Sequence, residues 1–268
     1  MPELPEVETI RRQLAEKIIG KTIKRIEILE PKMFIGDPKD VIGQKITDVG
    51  RVAKVLQIRF ANGAALLAHF KLNGQFFWRA AGDNAPAKFT RAVFYFADGA
   101  RLLFNDSRKF GWIKVAKICD LDKNKKAIEP FCANFTLDNF AAILSKSRRA
   151  VKLVLMDQEK IGGIGNIYAN EALFEAKINP FRPANSLNQK EVNELRQAIE
   201  KILKKAIDCR GSSGKDEWYR QLDESPGCYQ DHFLVYQRDG QKCFNCLGIV
   251  KREKQAGRGT FYCPNCQK

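Results

Sequence analysis

Apolar positions change their period partway along the chain. Near the start, Val7, Ile10, Leu14 and Ile18 recur at helical spacing and Gly20 ends the run, which predicts an amphipathic helix. Pro5 suits its first turn, where the missing N–H costs nothing. Beyond Gly20 the pattern shortens to β-branched and aromatic segments. Residues 22–29, 45–60, 64–77, 92–96, 101–104 and 110–116 read as strands, with Ala61-Asn62-Gly63 and Ala97-Asp98-Gly99 as hairpin turns. A charged, aperiodic stretch at 120–130 interrupts the pattern, and the helical period then takes over. It predicts helices at 137–145, 149–158, 164–175 and 189–208, the second and third separated by Ile161-Gly162-Gly163. A polar, glycine-containing stretch follows at 210–231, and two short strands close the chain around four cysteines. The expected fold class is α+β with two domains: a β-sandwich or barrel with an amino-terminal helix over 1–120, then, past a linker at 121–133, a helical domain over 134–232 ending in a cysteine-bearing module at 233–268.

Charge narrows the range of partners. The 268 residues carry 46 Lys and Arg against 31 Asp and Glu, a formal net charge of +15. Such an excess points to a polyanion, most simply nucleic acid. It is also uneven: residues 241–268 hold six basic residues and one acid. No run approaches the roughly 18 apolar residues that a membrane helix needs, and the charged amino terminus is unlike a signal peptide. The expectation is a cytoplasmic protein with no membrane partner, whose clustered cysteines bind metal rather than form disulfides. With His69 and His232 the sole histidines, a His-rich metal centre or a histidine general base has little support.

The cysteines carry the strongest local signal. Cys243-x2-Cys246 and Cys263-x2-Cys266 lie 16 residues apart, within the range of a four-thiolate zinc site. Two such turns close a tetrahedron with no open position, so the expected cofactor is one structural zinc ion. Basic residues between the pairs, Lys251, Arg252, Lys254 and Arg258, would ride on a metal-fixed hairpin toward a nucleic-acid backbone. Cys119, Cys132, Cys209 and Cys228 have no comparable spacing and are expected to be reduced core or surface thiols.

The amino terminus, Met-Pro-Glu-Leu-Pro-Glu-Val-Glu-Thr-Ile-Arg-Arg, offers candidate chemistry. Removal of Met1 would leave a proline secondary amine beside Glu3. An α-amino group has a pKa of about 7.7–8.0 against about 10.4 for lysine, so about one in ten is neutral at pH 7. Such an amine can attack an electrophilic sugar carbon and form an iminium. The helix dipole disfavours its protonation and favours the carboxylate of Glu3 or Glu6. By pattern alone, an ordinary amphipathic helix with a proline start is the better reading of the segment, because many chains begin this way.

This string closely resembles the amino terminus of the formamidopyrimidine-DNA glycosylases, and the likeness runs to the last cysteine pair. It implies a bifunctional DNA glycosylase/AP lyase of base excision repair that removes oxidised purines (8-oxoguanine, formamidopyrimidines). It implies Pro2 as the Schiff-base nucleophile and Glu3 as a proton-handling residue in β,δ-elimination. Lys54 becomes the active-site lysine and His69 a phosphate contact. Read from pattern alone, Lys54 is a solvent-facing strand residue and His69 a strand-end residue. Asn166, in Ile161-Gly162-Gly163-Ile164-Gly165-Asn166, falls where the family's helix–two-turn–helix element touches phosphate, and Arg258 matches its phosphate-gripping arginine. Arg108 and Phe110 match intercalating residues that fill the gap left by a flipped nucleotide, although from sequence alone core packing is the preferred reading of Phe110. Leu72 stands where the family usually has methionine, which puts tolerance of lesion shape in doubt. Lys71 is a further candidate clamp. Over 210–231 the family carries a loop covering the extruded purine; here Gly214 replaces a usual apolar residue. The partner implied is damaged double-stranded DNA, bound by a monomer of bacterial, nucleoid-associated type without a nucleotide cofactor. An endonuclease VIII-like enzyme for oxidised pyrimidines and a catalytically silent zinc-containing DNA-binding protein remain as alternatives.

Overall fold

The computed structural model describes residues 1–83, 88–121, 127–214 and 219–268. Residues 122–126 of the expected linker and 215–218 of the expected 210–231 loop lie outside the described residues. The chain forms two compact units, Met1–Lys125 with Cys209–Cys228, and Lys126–Asp208 with Tyr229–Lys268. The sequence grouped 210–231 with the helical domain, whereas Cys209–Cys228 returns to pack with the first unit.

In the first unit, α1 spans Leu4–Ile18 and buries Leu4, Val7, Ile10, Leu14 and Ile18 along one stripe. At about 1.5–3 kcal/mol per buried large apolar side chain, this stripe outweighs helix propensity in holding α1. The strands are β1 (Ile23–Ile28), β2 (Phe34–Ile35), β3 (Ile46–Val52), β4 (Val55–Phe60), β5 (Ala64–His69), β6 (Gln75–Arg79), β7 (Thr90–Phe96), β8 (Arg101–Asn105) and β9 (Trp112–Lys117), followed by a short helix α2 (Ile118–Leu121). They make two sheets, ordered β1-β7-β8-β6 and β2-β9-β5-β4-β3. All pairs are antiparallel except β2 with β9. Their inner faces share one core with α1, centred on Phe70, Phe76, Phe94 and Phe104.

One expected strand is really two. The 45–60 run doubles back so that Val52 faces Val55 across a two-residue turn at Ala53-Lys54. Ala53 takes φ +49, a left-handed conformation with no glycine to advertise it. The expected 64–77 run likewise breaks at Phe70–Gly74 into β5 and β6, which belong to different sheets.

The second unit holds α3 (Leu137–Ser145), α4 (Val151–Leu155), α5 (Asn166–Glu175) and α6 (Gln189–Asp208), then the hairpin of β10 (Lys251–Gln255) and β11 (Arg258–Tyr262). The helix expected at 149–158 is shorter, ending at Leu155, and Asp157 O then accepts from Lys160 N–H and Ile161 N–H in a turn. The helix expected from 164 starts at Asn166 because Gly165 is extended. Phe174 of α5 packs with Val235, Val250 and Phe261, joining the hairpin to the helices of the same unit. No helix among the described residues is long and apolar enough to cross a membrane.

Candidate active site and nucleic-acid interface

Pro2 and Glu3 sit at the mouth of α1, with Glu3 extended at the N-cap position and 2 % exposed. Glu6, one turn in, holds this end in place. Its Oε2 accepts from Glu3 N–H at 2.8 Å, and its Oε1 accepts from Ser212 N–H at 2.9 Å. Gly211, at φ +83, presses against Glu6; a Cβ there would lie 2.9 Å from Glu6 Cγ, so glycine is required on two counts. Met1 precedes Pro2, and while it is attached the proline nitrogen is a tertiary amide with no lone pair for imine formation.

The β3–β4 turn delivers Lys54. At 4 % exposed it is not the solvent-facing strand residue its sequence context suggested. Arg51 Nη1 donates to Ala53 O at 2.7 Å, and Arg51 Nε lies 3.3 Å from Glu8 Oε2, tying the turn to α1. Burial opposes the charge on Glu8, but hydrogen bonds from Arg11 and Arg12 and the charges of Arg11 and Arg51 hold its carboxyl below the usual range. The register of β4 on β5 sets Val55 opposite His69, and His69 opposite Trp112. Lys71 N–H donates to His69 Nδ1 at 2.9 Å, which leaves Nε2 to carry the ring proton. Burial, reinforced by the charges of Lys71 and Lys54, draws His69 down to about 4. It is therefore a neutral N–H donor at pH 7, suited to a phosphate oxygen but not to general-acid chemistry.

Leu72 and the Arg108–Phe110 loop form one edge of this unit. Leu72 is 38 % exposed in a turn where Lys71 has φ +50 and Gly74 N–H returns to Phe70 O. Phe110 is 53 % exposed, so its side chain is not core packing, and the Arg108 guanidinium lies 5.2 Å from its ring centroid. The loop is organised by Asp106, which is buried. Its Oδ1 accepts from Arg108 N–H and Lys109 N–H at 2.8 and 3.0 Å, and its Oδ2 accepts from Gly111 N–H at 2.7 Å. Asn73 Nδ2 donates to Ser107 Oγ at 3.2 Å, bringing the Leu72 turn and the Phe110 loop side by side. A Cβ on Gly111 would meet Phe104, Asp106 and the His69 carbonyl within 2.9–3.1 Å. Asp106, Asn73 and Gly111 received no role from sequence; an Asp two residues before the exposed Arg was the available signal.

The second unit presents its own pair. Asn166 is the first residue of α5, after a glycine turn held by Gln158, which accepts from Gly163 N–H and donates to Ile164 O. Asn166 Oδ1 is buried without a hydrogen-bond partner. Arg258 is exposed at the start of β11, next to the Ala256-Gly257 turn, whose residues have φ +48 and +77. Lys152 of α4, fully buried, donates to Gly259 O at 2.9 Å and Thr260 Oγ1 at 2.8 Å, and Asn170 Oδ1 accepts from Phe261 N–H at 2.9 Å. Glu171 accepts from the N–H groups of Leu234, Val235 and Tyr236 at 2.8–3.0 Å, fixing the segment that enters the finger. Burial pushes its carboxyl up against the pull of those donors.

The four sulfurs of Cys243, Cys246, Cys263 and Cys266 all lie within 4.8 Å of one another, with Cys243–Cys266 and Cys246–Cys263 at 3.8 and 3.4 Å. A tetrahedral zinc with Zn–S bonds of about 2.3 Å has sulfurs about 3.8 Å apart, so the set fits that ion. The Gly248 N–H, then the neighbouring thiols, draw Cys246 down to about 7, while burial pushes Cys263 and Cys266 up, so the charge of a bound ion is needed to deprotonate the set.

The chain matches three family models: the formamidopyrimidine-DNA glycosylase N-terminal domain over residues 1–113, the formamidopyrimidine-DNA glycosylase H2TH domain over 127–217, and the zinc finger found in FPG and IleRS over 240–268. It is 38 % identical to a formamidopyrimidine-DNA glycosylase of Listeria innocua, with all of both chains covered, and 39 % identical to that of Carboxydothermus hydrogenoformans over all of both chains. Among solved structures, it superposes on the MutM (Fpg) protein of Thermus thermophilus with a TM-score of 0.91 at 37 % identity, covering 99 % of this chain and 98 % of that one. It superposes equally on a Lactococcus lactis Fpg variant in complex with a Fapy-dG containing DNA, at TM-score 0.91 and 34 % identity over 100 % of each chain. The chain therefore belongs to the formamidopyrimidine-DNA glycosylase family, DNA-binding glycosylases of base excision repair with AP lyase activity, and its finger carries one structural zinc ion.

Proposed function

We propose that this chain excises oxidised purines from duplex DNA and cleaves the strand with Pro2 as nucleophile once Met1 has been removed. The observation that carries this is the burial of Pro2 and Glu3 at the amino-terminal end of α1, with Glu6 tying down the adjoining backbone. The Pro2 nitrogen attacks C1′, the glycosidic bond breaks, and its electron pair leaves with the base, which takes up a proton. The nitrogen then loses its proton, and the lone pair so recovered forms an iminium at C1′ as the C1′–O4′ bond breaks and O4′ takes up a proton. Glu3 handles protons: loss of one from C2′ expels the 3′ phosphate, and a second elimination expels the 5′ phosphate, leaving a one-nucleotide gap. Lys54 supplies charge beside the damaged nucleotide. His69, through Nε2–H, Asn166 and Arg258 contact phosphates. Leu72, Arg108 and Phe110 fill the space vacated by the flipped nucleotide, at a cost to the duplex of a few kcal/mol for unstacking.

The working form on this reading is a cytoplasmic monomer that needs no nucleotide cofactor, since an amine and a carboxylate suffice for the steps above. It divides into a catalytic unit that includes Cys209–Cys228, a helix–two-turn–helix unit and a finger, with boundaries near 120, 133 and 232. Support for purine lesions comes from relatives solved with Fapy-dG containing DNA. A Lactococcus lactis relative solved with an oxidised pyrimidine containing DNA supports a second activity on pyrimidines.

The test is borohydride reduction in the presence of an 8-oxoguanine:C duplex. Processed protein, verified by mass to lack Met1, is expected to yield a covalent complex whose DNA adduct maps to Pro2. Protein that retains Met1 is expected to yield none at that residue. An adduct on another amine, or equal trapping with and without Met1, overturns the assignment. Rates on 8-oxoguanine:C and thymine-glycol:A duplexes then rank the two lesion classes.

A further inference from the structure

We propose that Cys209 and Cys228 are a redox-active dithiol that closes to a disulfide across the neck of the Cys209–Cys228 excursion, with a peroxide as oxidant. These two residues are where the chain joins and leaves the first unit. Cys228 N–H donates to Cys209 O at 2.9 Å, and Cys228 Sγ lies 3.4 Å from the same oxygen. This hydrogen bond makes the two residues backbone neighbours, and a disulfide spans roughly 4.4–6.8 Å between Cα atoms. The next positions inward are closer still. A Cβ on Gly227 would lie 2.3 Å from Gly211 O and 2.7 Å from Arg210 O, so the two sides of the neck meet backbone to backbone. Gly227 N–H donates to Ser213 Oγ at 3.0 Å, closing a second rung. The neck thus holds the two backbones together at the position of the proposed cross-link.

Cys228 is exposed and Cys209 half-buried, which sets the order of events. The Cys228 thiolate attacks one oxygen of hydrogen peroxide; an S–O bond forms, the O–O bond breaks, and hydroxide leaves to become water. The Cys209 sulfur then attacks the Cys228 sulfenic acid; the S–S bond forms, the S–O bond breaks, and hydroxide leaves with the Cys209 proton as a second water. Two thiols and one peroxide give one disulfide and two waters. The bond would pin a segment whose Ser212 N–H is held by Glu6, whose Gln221 accepts from Gln13, and whose Leu222 O accepts from Trp78 N–H. It adds a covalent closure to contacts that already anchor the excursion on the first unit.

The experiment is a non-reducing peptide map of the zinc-loaded, full-length protein after stoichiometric hydrogen peroxide and blocking of remaining thiols with N-ethylmaleimide. Trypsin releases Cys209 in peptide 206–210 and Cys228 in peptide 221–238. The expected product is these two peptides joined, two hydrogens lighter than their sum, with loss of both maleimide labels. Dithiothreitol should restore the labels, and Cys209→Ser and Cys228→Ser should each abolish the joined product. Amide exchange at Ser212 should slow in the oxidised protein and not in oxidised Cys209→Ser. Sulfinic acid at Cys228 with Cys209 still labelled, or cross-links confined to the zinc cysteines, would overturn the proposal; the wild-type map decides this even if a serine variant fails to fold.

Discussion

The Arg108–Phe110 loop and the Arg258 hairpin both expose a side chain from a rigid base, and they reach that rigidity by different routes. The loop has a single buried carboxylate, Asp106, gathering three backbone N–H groups within six residues of chain. The hairpin has four thiolates around an ion, and a buried lysine donating to Gly259 and Thr260 from a distant helix. The first device is local and relies on hydrogen bonds inside a packed sandwich. The second substitutes a metal for a core, because the finger's own apolar cluster is small. A pointed residue can therefore be supported by charge on the chain or by charge borrowed from solution, and the two should fail differently.

The largest expected effect removes the borrowed charge. Structural zinc contributes about 10–16 kcal/mol in finger peptides. Cys263→Ser should lower bound zinc to near zero by atomic absorption and raise amide exchange throughout β10 and β11, while exchange in the sandwich strands stays slow. A protected hairpin in the zinc-depleted variant would show that Lys152 and Phe261 suffice. Next comes Asp106→Ala, which strands three N–H groups at about 1–3 kcal/mol each if they stay buried. Relaxation toward water should reduce the total to about 3 kcal/mol in urea unfolding, with Asp106→Asn recovering part; an unchanged midpoint would mean that the loop is held by its packing.

A third test reads the environment shared by His69 and Lys54. The folded His69 is neutral down to about 4, while the unfolded side chain protonates below its ordinary 6.5. Between those values the unfolded chain binds more protons, so stability falls as pH drops from 6.5 toward 4, by roughly 3 kcal/mol. His69→Gln should flatten that limb of the pH–stability curve, and an unchanged slope would assign it to other groups. The smallest stability effects belong to the pointed residues themselves. Phe110→Ala and Arg258→Ala should each move stability by no more than about 0.5 kcal/mol. Arg258→Ala should lower the salt slope of duplex binding by about one, whereas Phe110→Ala should leave that slope alone and slow base excision more than cleavage at a preformed abasic site. Equal salt slopes for both variants would erase the distinction between a phosphate grip and a wedge.

Legibility in the sequence followed the range of the interaction. The zinc set was readable because two C-x-x-C turns specify their own geometry, and α1, α3 and α6 because each carries a complete apolar stripe. The turn at Ala53-Lys54 was not, since no glycine or proline marks it and the residues on both sides are β-formers; pairing of Val52 with Val55 is a decision of the sheet. For the same reason Lys54 looked like a surface residue. Asp106 received no role, because its three acceptor contacts exist only once the loop has closed. The return of Cys209–Cys228 to the first unit is the least local feature of all: Ser212 reaches a residue 206 positions earlier, and nothing in the polar stretch around it declares that address.

Glu6 has a thermodynamic consequence. One carboxylate receives Glu3 N–H on one oxygen and Ser212 N–H on the other, so two segments remote in sequence draw on the same acceptor. Linkage requires that whatever orders one of them lowers the cost of ordering the other by the same amount. A ligand gripping the 209–228 segment would tighten the amino terminus, and a ligand held at the amino terminus would tighten the segment. Arrival and retention at this end of α1 are then two readings of a single coupling energy, measurable from either side.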